Sequence, residues 1–280
     1  MDKAFLEITN VCNLSCTFCH GTKREKGFMS REDFDLLTDR LAGRVKYLYF
    51  HLMGEPLLHP LLPEFIALAK DKGFLPMLTT NGTLLKKREG ELLSCLPYKI
   101  SISVHAPGAN PVFEDPDYLE SCISFAGKAS LGGCITVLRL WNLDSGREGE
   151  NGGIISALEK HFPRPWQDIR GGESVKLGER LFIEWGREFA WPDMSLDEFP
   201  GEVFCYGLRD QIGIHVSGNV VPCCLDAEGD IVLGNLFDSE FDDILNSKRA
   251  RDIYAGFGKR QATEPLCKRC GYAKRFSKKC

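Results

Sequence analysis

Along the first 190 residues, apolar runs of strand length alternate with segments of helical spacing. The runs are "AFLEIT" (Ala4–Thr9), "VKYLYF" (Val45–Phe50), "LPMLTT" (Leu75–Thr80), "KISISV" (Lys99–Val104), "CITVLRL" (Cys134–Leu140) and "RLFIEW" (Arg180–Trp185). Between them the 3.6-residue period predicts helices from Ser30 to about Leu41, over Leu61–Lys70, Leu84–Leu93, Tyr118–Ser130 and Ile154–His161. Ser30 is placed to cap the first, with Asp33 three residues on, close to a capping box. Six β–α units predict an α/β fold with a parallel sheet, either an open doubly wound sheet or a partial barrel. In both, reactive side chains sit just past the C-terminal ends of the strands.

The pattern changes near Trp191. "WPDMSLDEFPGE" is polar, contains two prolines and reads as a linker. Beyond it, "IGIHVSGNVVPCC" (Ile212–Cys224) has two apolar runs around "SGN", a hairpin signal. A helix is expected over about Asp242–Tyr254, then "CKRC" (Cys267–Cys270) and a basic tail. The division expected is residues 1–195 for the large domain and 196–280 for a small module.

With 280 residues, 43% apolar and 26% charged, the composition is that of a globular protein, and the net charge of −4 implies no general affinity for nucleic acid. The charge is uneven: Lys248–Cys280 holds eleven Lys/Arg against two Asp/Glu. Such asymmetry marks an anionic group nearby, whether a cofactor, a substrate or nucleic acid. Neither a signal peptide nor an apolar stretch of about 18 residues is visible. A cytosolic location is expected, where twelve cysteines point to metal or cluster binding rather than disulfides.

Three of those cysteines, Cys12, Cys16 and Cys19, fall in eight residues, "CNLSCTFC", directly after the first strand. Three thiolates leave one position of a four-iron cluster open, and an open metal position is where chemistry takes place. A zinc site completed by His20 is the bland alternative. Other polar residues gather at the same strand ends: "HLMGEP" (His51–Pro56), "NGT" (Asn81–Thr83), His105, Arg139, Trp141 and Trp185.

The C-x3-C-x2-C spacing after a first strand resembles that of the radical S-adenosylmethionine (SAM) enzymes. Phe18 matches the aromatic of the family motif. "MGEP" resembles the "GGEP" segment that holds the SAM amino group, with Met53 in place of the first glycine. "TTNG" matches the end of the third strand, and "SVHAP" sits where the family contacts the ribose. The resemblance implies a partial (β/α)6 TIM-like barrel. It implies a [4Fe–4S] cluster on Cys12, Cys16 and Cys19, and SAM contacts from Phe18, Gly54, Glu55, Pro56, Asn81, Ser103 and His105. It also implies reductive cleavage of SAM to a 5′-deoxyadenosyl radical that takes a hydrogen atom from substrate. An external reductant such as flavodoxin or ferredoxin is then required. A reactive alkyl radical needs enclosure in the lumen.

Cys205, the "PCC" after the hairpin and the final C-x2-C resemble the SPASM or Twitch extension, a hairpin-plus-helix module that binds auxiliary [4Fe–4S] clusters. The resemblance implies Cys205, Cys223, Cys267 and Cys270 as ligands of one cluster, with Cys224 or Cys280 as substitutes and zinc as the alternative metal. The basic tail then balances the cluster's charge. Cys95, Cys122 and Cys134 read as buried structural thiols.

Substrate identity is faint in the sequence. His20, His51, Arg139, Trp141 and Glu184 are the candidates to touch substrate, with Tyr206 a further one. Strand alternation lets only one of Glu184 and Trp185 face the lumen, and a carboxylate suits a cationic or NH-bearing group. The chain starts at the first strand, without room ahead of it for a leader-binding domain. A small polar metabolite, sugar or modified nucleobase, for example of deazaguanine type, is therefore expected, through lyase or oxidation chemistry. A peptide- or protein-modifying maturase is the alternative, and an iron–sulfur electron carrier the non-enzymatic one. A monomer is expected, without membrane or nucleic-acid partner.

Overall fold

The computed structural model describes residues 1–110, 112–143, 145–146, 149, 151–162 and 174–276. Strands β1 (Lys3–Leu6), β2 (Tyr47–Tyr49), β3 (Leu75–Thr80), β4 (Lys99–Ile102), β5 (Ile135–Leu143) and β7 (Leu181–Arg187) lie side by side and parallel, separated in sequence by helices α1 (Arg31–Leu41), α2 (Leu62–Asp71), α3 (Leu85–Ser94), α4 (Tyr118–Leu131) and α5 (Asn151–His161). The strand residues that turn outward, such as Leu48, Leu78, Ile100, Ile102, Leu138, Leu140 and Ile183, are buried with Phe34, Phe65 and Phe125 of the helices. Phe34 stacks on Phe65 at 4.0 Å between ring centroids. The inward positions Tyr47, Tyr49, Arg139, Trp141 and Glu184 are only half-buried and line the lumen. Ser30 caps α1 by accepting from the Asp33 N–H at 3.0 Å.

Three features differ from the sequence pattern. First, β6 (Ser174–Gly178) pairs antiparallel with β7 and forms one edge of the sheet. It alternates, with Ser174 and Lys176 exposed and Leu177 buried, but over only five residues.

Second, the C-terminal hairpin, β8 (Gln211–Ile214) and β9 (Asn219–Val221), is not separate from the large sheet. β8 pairs parallel with β1 over Lys3–Leu6, and the order runs β10-β9-β8-β1-β2-β3-β4-β5-β7-β6, with β10 at Gly234–Asn235. The apolar Ile212 and Ile214 extend the core instead of starting a new one. The sheet ends in two antiparallel edges, so the barrel is partial.

Third, the single helix expected over Asp242–Tyr254 is two, α6 (Phe241–Leu245) and α7 (Lys248–Gly258). Ser247 breaks it by capping α7 through the Ala250 N–H. A short α8 (Pro265–Lys268) carries Cys267. Among the described residues no helix is long and apolar enough to cross a membrane.

Candidate active site

The loop after β1 carries Cys12, Cys16 and Cys19 and is sewn to each neighbouring strand end. At its base, Asn10 donates to the Glu25 carbonyl (2.8 Å) and accepts from the Gly27 N–H (2.9 Å), closing the loop on itself. The Glu55 N–H donates to the Val11 carbonyl at 2.8 Å. Asn13 donates to Thr83 Oγ1 (2.8 Å) and accepts from Asn81 Nδ2 (2.9 Å). From the loop after β4, Asn110 accepts from the Ser15 N–H and donates to Cys16 Sγ at 2.9 Å, while Thr17 N–H donates to the Ala109 carbonyl. The motifs that follow β2, β3 and β4 are thus brought around the three thiols.

Each motif residue has a definite position. Gly54 has φ +80°, and a Cβ there would lie 2.4 Å from the Thr9 carbonyl oxygen, so only glycine permits this approach of the two loops. Glu55 is fixed by the protein's own donors. Its carboxylate is buried and accepts from Leu57 N–H (2.9 Å), Thr80 Oγ1 (2.7 Å) and Asn81 N–H (2.7 Å). Burial raises its pKa against these three bonds. Glu55 therefore ties the turn at Pro56–Leu58 to the end of β3. The His105 ring lies against Phe18, centroids 5.1 Å apart and planes tilted by 35°, and its Nδ1 lies 2.9 Å from the Arg139 carbonyl. The Ser103 carbonyl accepts from Tyr118 Oη.

The thiols fit cluster ligation. Cys12 and Cys19 are exposed and Cys16 half-buried, all unpaired and within electrostatic reach of one another. Burial pushes Cys16 up to about 11, opposed by the Asn110 donor, so this thiol is protonated until a metal displaces the proton. Among the described residues, no three His, Cys, Asp or Glu side chains converge on a point that one metal ion could share. His20, the proposed fourth zinc ligand, is turned away: its Nε2 meets Asp193 Oδ2 at 3.2 Å and its Nδ1 the Gly21 carbonyl. It anchors the linker, as does Trp191, whose Nε1 donates to the Phe18 carbonyl at 3.0 Å.

Cys205, Cys223, Cys267 and Cys270 line one pocket with Pro222, Leu266 and Tyr272. Burial raises all four thiols, and they feel one another's charge. Four thiols around one apolar cavity are a donor set for an iron–sulfur cluster. Cys224 is outside this lining. It lies within electrostatic reach of Arg139 and Tyr49, between the cavity and the lumen, and burial pushes it up to about 12. Cys280 lies outside the described residues. Much of the basic tail is paired locally, Arg249 with Glu264 (2.8 Å) and Arg269 with Glu198 (3.0 Å), so its charge does not require a cluster to balance it.

In the lumen, Arg139 lies over the Trp141 ring at 3.5 Å and opposite Glu184 in register. Trp185 instead packs in the outer core. His51 has a buried Nδ1 without a partner, and burial followed by the Arg139 charge lowers its pKa to about 3. Tyr206 does not reach the pocket: it is 40% exposed and packs on Phe204 and Phe276. Cys122 and Cys134 are buried, whereas Cys95 is half-buried at the end of α3, donating to the Glu91 carbonyl.

Sequence reasoning missed the pair that holds the centre together. Glu7 is fully buried and takes a bidentate bond from Arg24 at 2.8 and 2.7 Å. It also accepts from the Met53 and Val216 N–H groups. A glutamate inside an apolar strand was the available signal. Asn110 gave none, since nothing local distinguishes it.

A profile for the Radical SAM superfamily matches residues 6–116, and one for the SPASM iron–sulfur cluster-binding domain matches residues 205–271. The tungsten-containing aldehyde ferredoxin oxidoreductase cofactor-modifying protein of Pyrococcus furiosus is 37% identical over 92 residues, 30% of this chain and 25% of its own length. The antilisterial bacteriocin subtilosin biosynthesis protein AlbA of Bacillus subtilis is 23% identical over 96% of this chain and 65% of its own. The chain thus spans a quarter to two thirds of these relatives' lengths. The crystal structure of BtrN in complex with AdoMet and 2-DOIA shares the fold with a TM-score of 0.61 at 20% identity, covering 96% of this chain and 94% of that one. These matches imply a [4Fe–4S] cluster and SAM, with auxiliary iron–sulfur binding at the C-terminal end. The chain carries a Radical SAM domain over residues 6–116 and a SPASM iron–sulfur cluster-binding domain over residues 205–271.

Proposed function

We propose that this protein is a radical SAM enzyme that removes a hydrogen atom from a small polar substrate held in the barrel lumen. The observation that carries this reading is the three-thiol loop, fastened over a lumen whose charged side chains are unpaired. Cys12, Cys16 and Cys19 would hold the SAM-binding cluster, and Cys205, Cys223, Cys267 and Cys270 an auxiliary one. When bound, cluster and SAM supply one-electron reductive cleavage of the sulfonium and so a hydrogen-abstracting agent. The chain's own residues do the rest. Asn110 orients the Cys16 sulfur, and Gly54 and Glu55 shape the turn that brings backbone to the SAM end of the site. Phe18 and His105 form its aromatic wall. Arg139, Trp141, Glu184 and His51 present the substrate, and the lumen walls exclude water. The large domain (residues 1–195) and the module (196–280) share one sheet, which fixes the auxiliary cavity beside the lumen.

Anaerobic reconstitution with iron, sulfide, SAM and dithionite tests the reading. The wild type should form 5′-deoxyadenosine and the Cys12→Ala/Cys16→Ala/Cys19→Ala variant none, while losing about four of about eight irons per chain. Equal product from the triple variant, or none from the wild type with both clusters present, refutes it in favour of an electron carrier. Likeness to AlbA along 96% of the chain favours a second reading, peptide modification. A mass change in a co-expressed peptide encoded beside this chain would support it.

A further inference from the structure

The lumen holds more unpaired charge than folding would leave without a reason. Arg139 and Glu184 are register partners on β5 and β7, so both side chains project from the same face of adjacent strands. Yet among the described residues no ion pair joins them, and neither side chain has a hydrogen-bond partner. The Arg139 side chain is half-buried, its guanidinium held at the lumen surface with no carboxylate against it. Its neighbour could have quenched it and does not. Lys99, on β4, lies within electrostatic reach of both, and burial lowers its pKa, opposed by Glu184. Glu7, the other carboxylate beneath this space, is already neutralised by Arg24. The unpaired set is therefore two cations and one carboxylate.

The support behind Arg139 is rigid. Its guanidinium lies 3.5 Å from the centre of the Trp141 ring, which occupies one of its faces and leaves the N–H edge open. Trp141 is itself fixed from behind: a Cβ at Gly186 would come within 2.7 Å of the indole, so the ring rests on bare backbone. Its Nε1 is buried without a partner. The floor is apolar and flat, with Phe5 stacked on Tyr49 at 4.4 Å. An Arg held flat on an aromatic ring, edge outward, is suited to bidentate capture of a planar or tetrahedral oxyanion.

We infer that the lumen takes a substrate bearing an oxyanion, held by Arg139 with Lys99, and an N–H or ammonium group turned to Glu184. This rests on the lumen being the substrate site of the proposed enzyme. The oxyanion can be a carboxylate or a phosphate; both fit an Arg–Lys pair, and the experiment separates them.

The reconstituted protein with SAM bound is titrated calorimetrically with pentanoate, inorganic phosphate and 1-aminopentane. At least one oxyanion should bind about tenfold or more tightly than the amine, and the tighter of the two names the class. Arg139→Gln should weaken that oxyanion about tenfold, and Lys99→Met should weaken it too, which guards against misfolding of either variant. Glu184→Gln should leave it bound as tightly or more so. Amine binding equal to that of the oxyanions, oxyanion binding unchanged in both cation variants, or no oxyanion binding at all overturns the inference. Substrate-free formation of 5′-deoxyadenosine is read on the same samples. Its presence without oxyanion binding overturns this inference alone, and its absence with Arg139-dependent binding overturns the proposed function alone.

Discussion

Arg24→Met tests whether one buried ion pair joins the cysteine loop to the C-terminal hairpin. Glu7 has no exposed side-chain surface and Arg24 has 16%. The guanidinium gives two bonds to Glu7 and a third, from Nε, to the Ala227 carbonyl at 2.7 Å. The same carboxylate accepts from Met53, in the loop after β2, and from Val216, in the hairpin. Methionine keeps most of the volume and removes all three donors. Two backbone N–H groups then remain for a buried carboxylate, and the Ala227 carbonyl keeps only its longer side-chain donor, Thr22 Oγ1 at 3.2 Å. Removing one partner of such a pair costs about 3–5 kcal/mol, a large part of a total of roughly 5–15 kcal/mol. With a urea slope of about 2 kcal/mol per molar, the midpoint should fall by about 2 M. Glu7→Leu combined with Arg24→Met should recover part of the loss, because no charge is left buried, and the coupling in the cycle should exceed about 1 kcal/mol. A single variant within about 0.5 kcal/mol of wild type would refute the reasoning and make Glu7–Arg24 an ornament of an already rigid loop.

The sheet was legible because its strands alternate against helices that bury the outward face. Ile100 and Ile102 on β4, and Leu138 and Leu140 on β5, repeat at period two and are fully buried. The three-cysteine loop was legible because cluster chemistry restricts residue type and spacing together. What escaped depends on contacts between segments far apart in sequence. β8 reads as part of a local hairpin, and only its register with Lys3–Leu6 makes it a strand of the barrel sheet. Asn110 reaches Cys16 across 94 residues and Arg24 reaches Ala227 across 203. His20 looked like a ligand because it follows Cys19, but the linker's Asp193, 173 residues away, takes its ring nitrogen. Glu55 carried the right identity for the motif, yet its direction was set by Thr80 and Asn81, which period and spacing do not specify.

Four further outcomes follow from named contacts. Glu55→Gln should cost about 1–3 kcal/mol in urea unfolding, because in either orientation its amide NH2 meets a backbone N–H, of Leu57 or of Asn81; an unchanged midpoint would free Glu55 for another role. His51, lowered by burial to about 3, adds stability that is full above about pH 6.5, its unfolded value, and is lost as pH falls toward 3, so His51→Leu should show a smaller drop in urea midpoint between pH 7 and pH 5 than wild type. Asn110→Leu removes the 2.9 Å N–H donor to Cys16 Sγ and should shift the loop cluster's reduction potential to more negative values in an EPR-monitored redox titration; an unmoved potential would confine Asn110 to holding Ser15. Cys267→Ala should abolish the auxiliary cluster and open the module selectively. Cys205 precedes β8, Cys223 follows β9 and Cys267 sits on α8, so the cluster would staple the α8 segment, which is not in the sheet, to the two outer ends of the β8–β9 hairpin. β8, however, keeps its four-residue register with β1, so limited proteolysis should cut first in the linker around residues 192–205 and near α8, with β8 and β9 cut only later. Cleavage beginning within the hairpin would mean that the cluster, rather than the sheet, holds β8 in place.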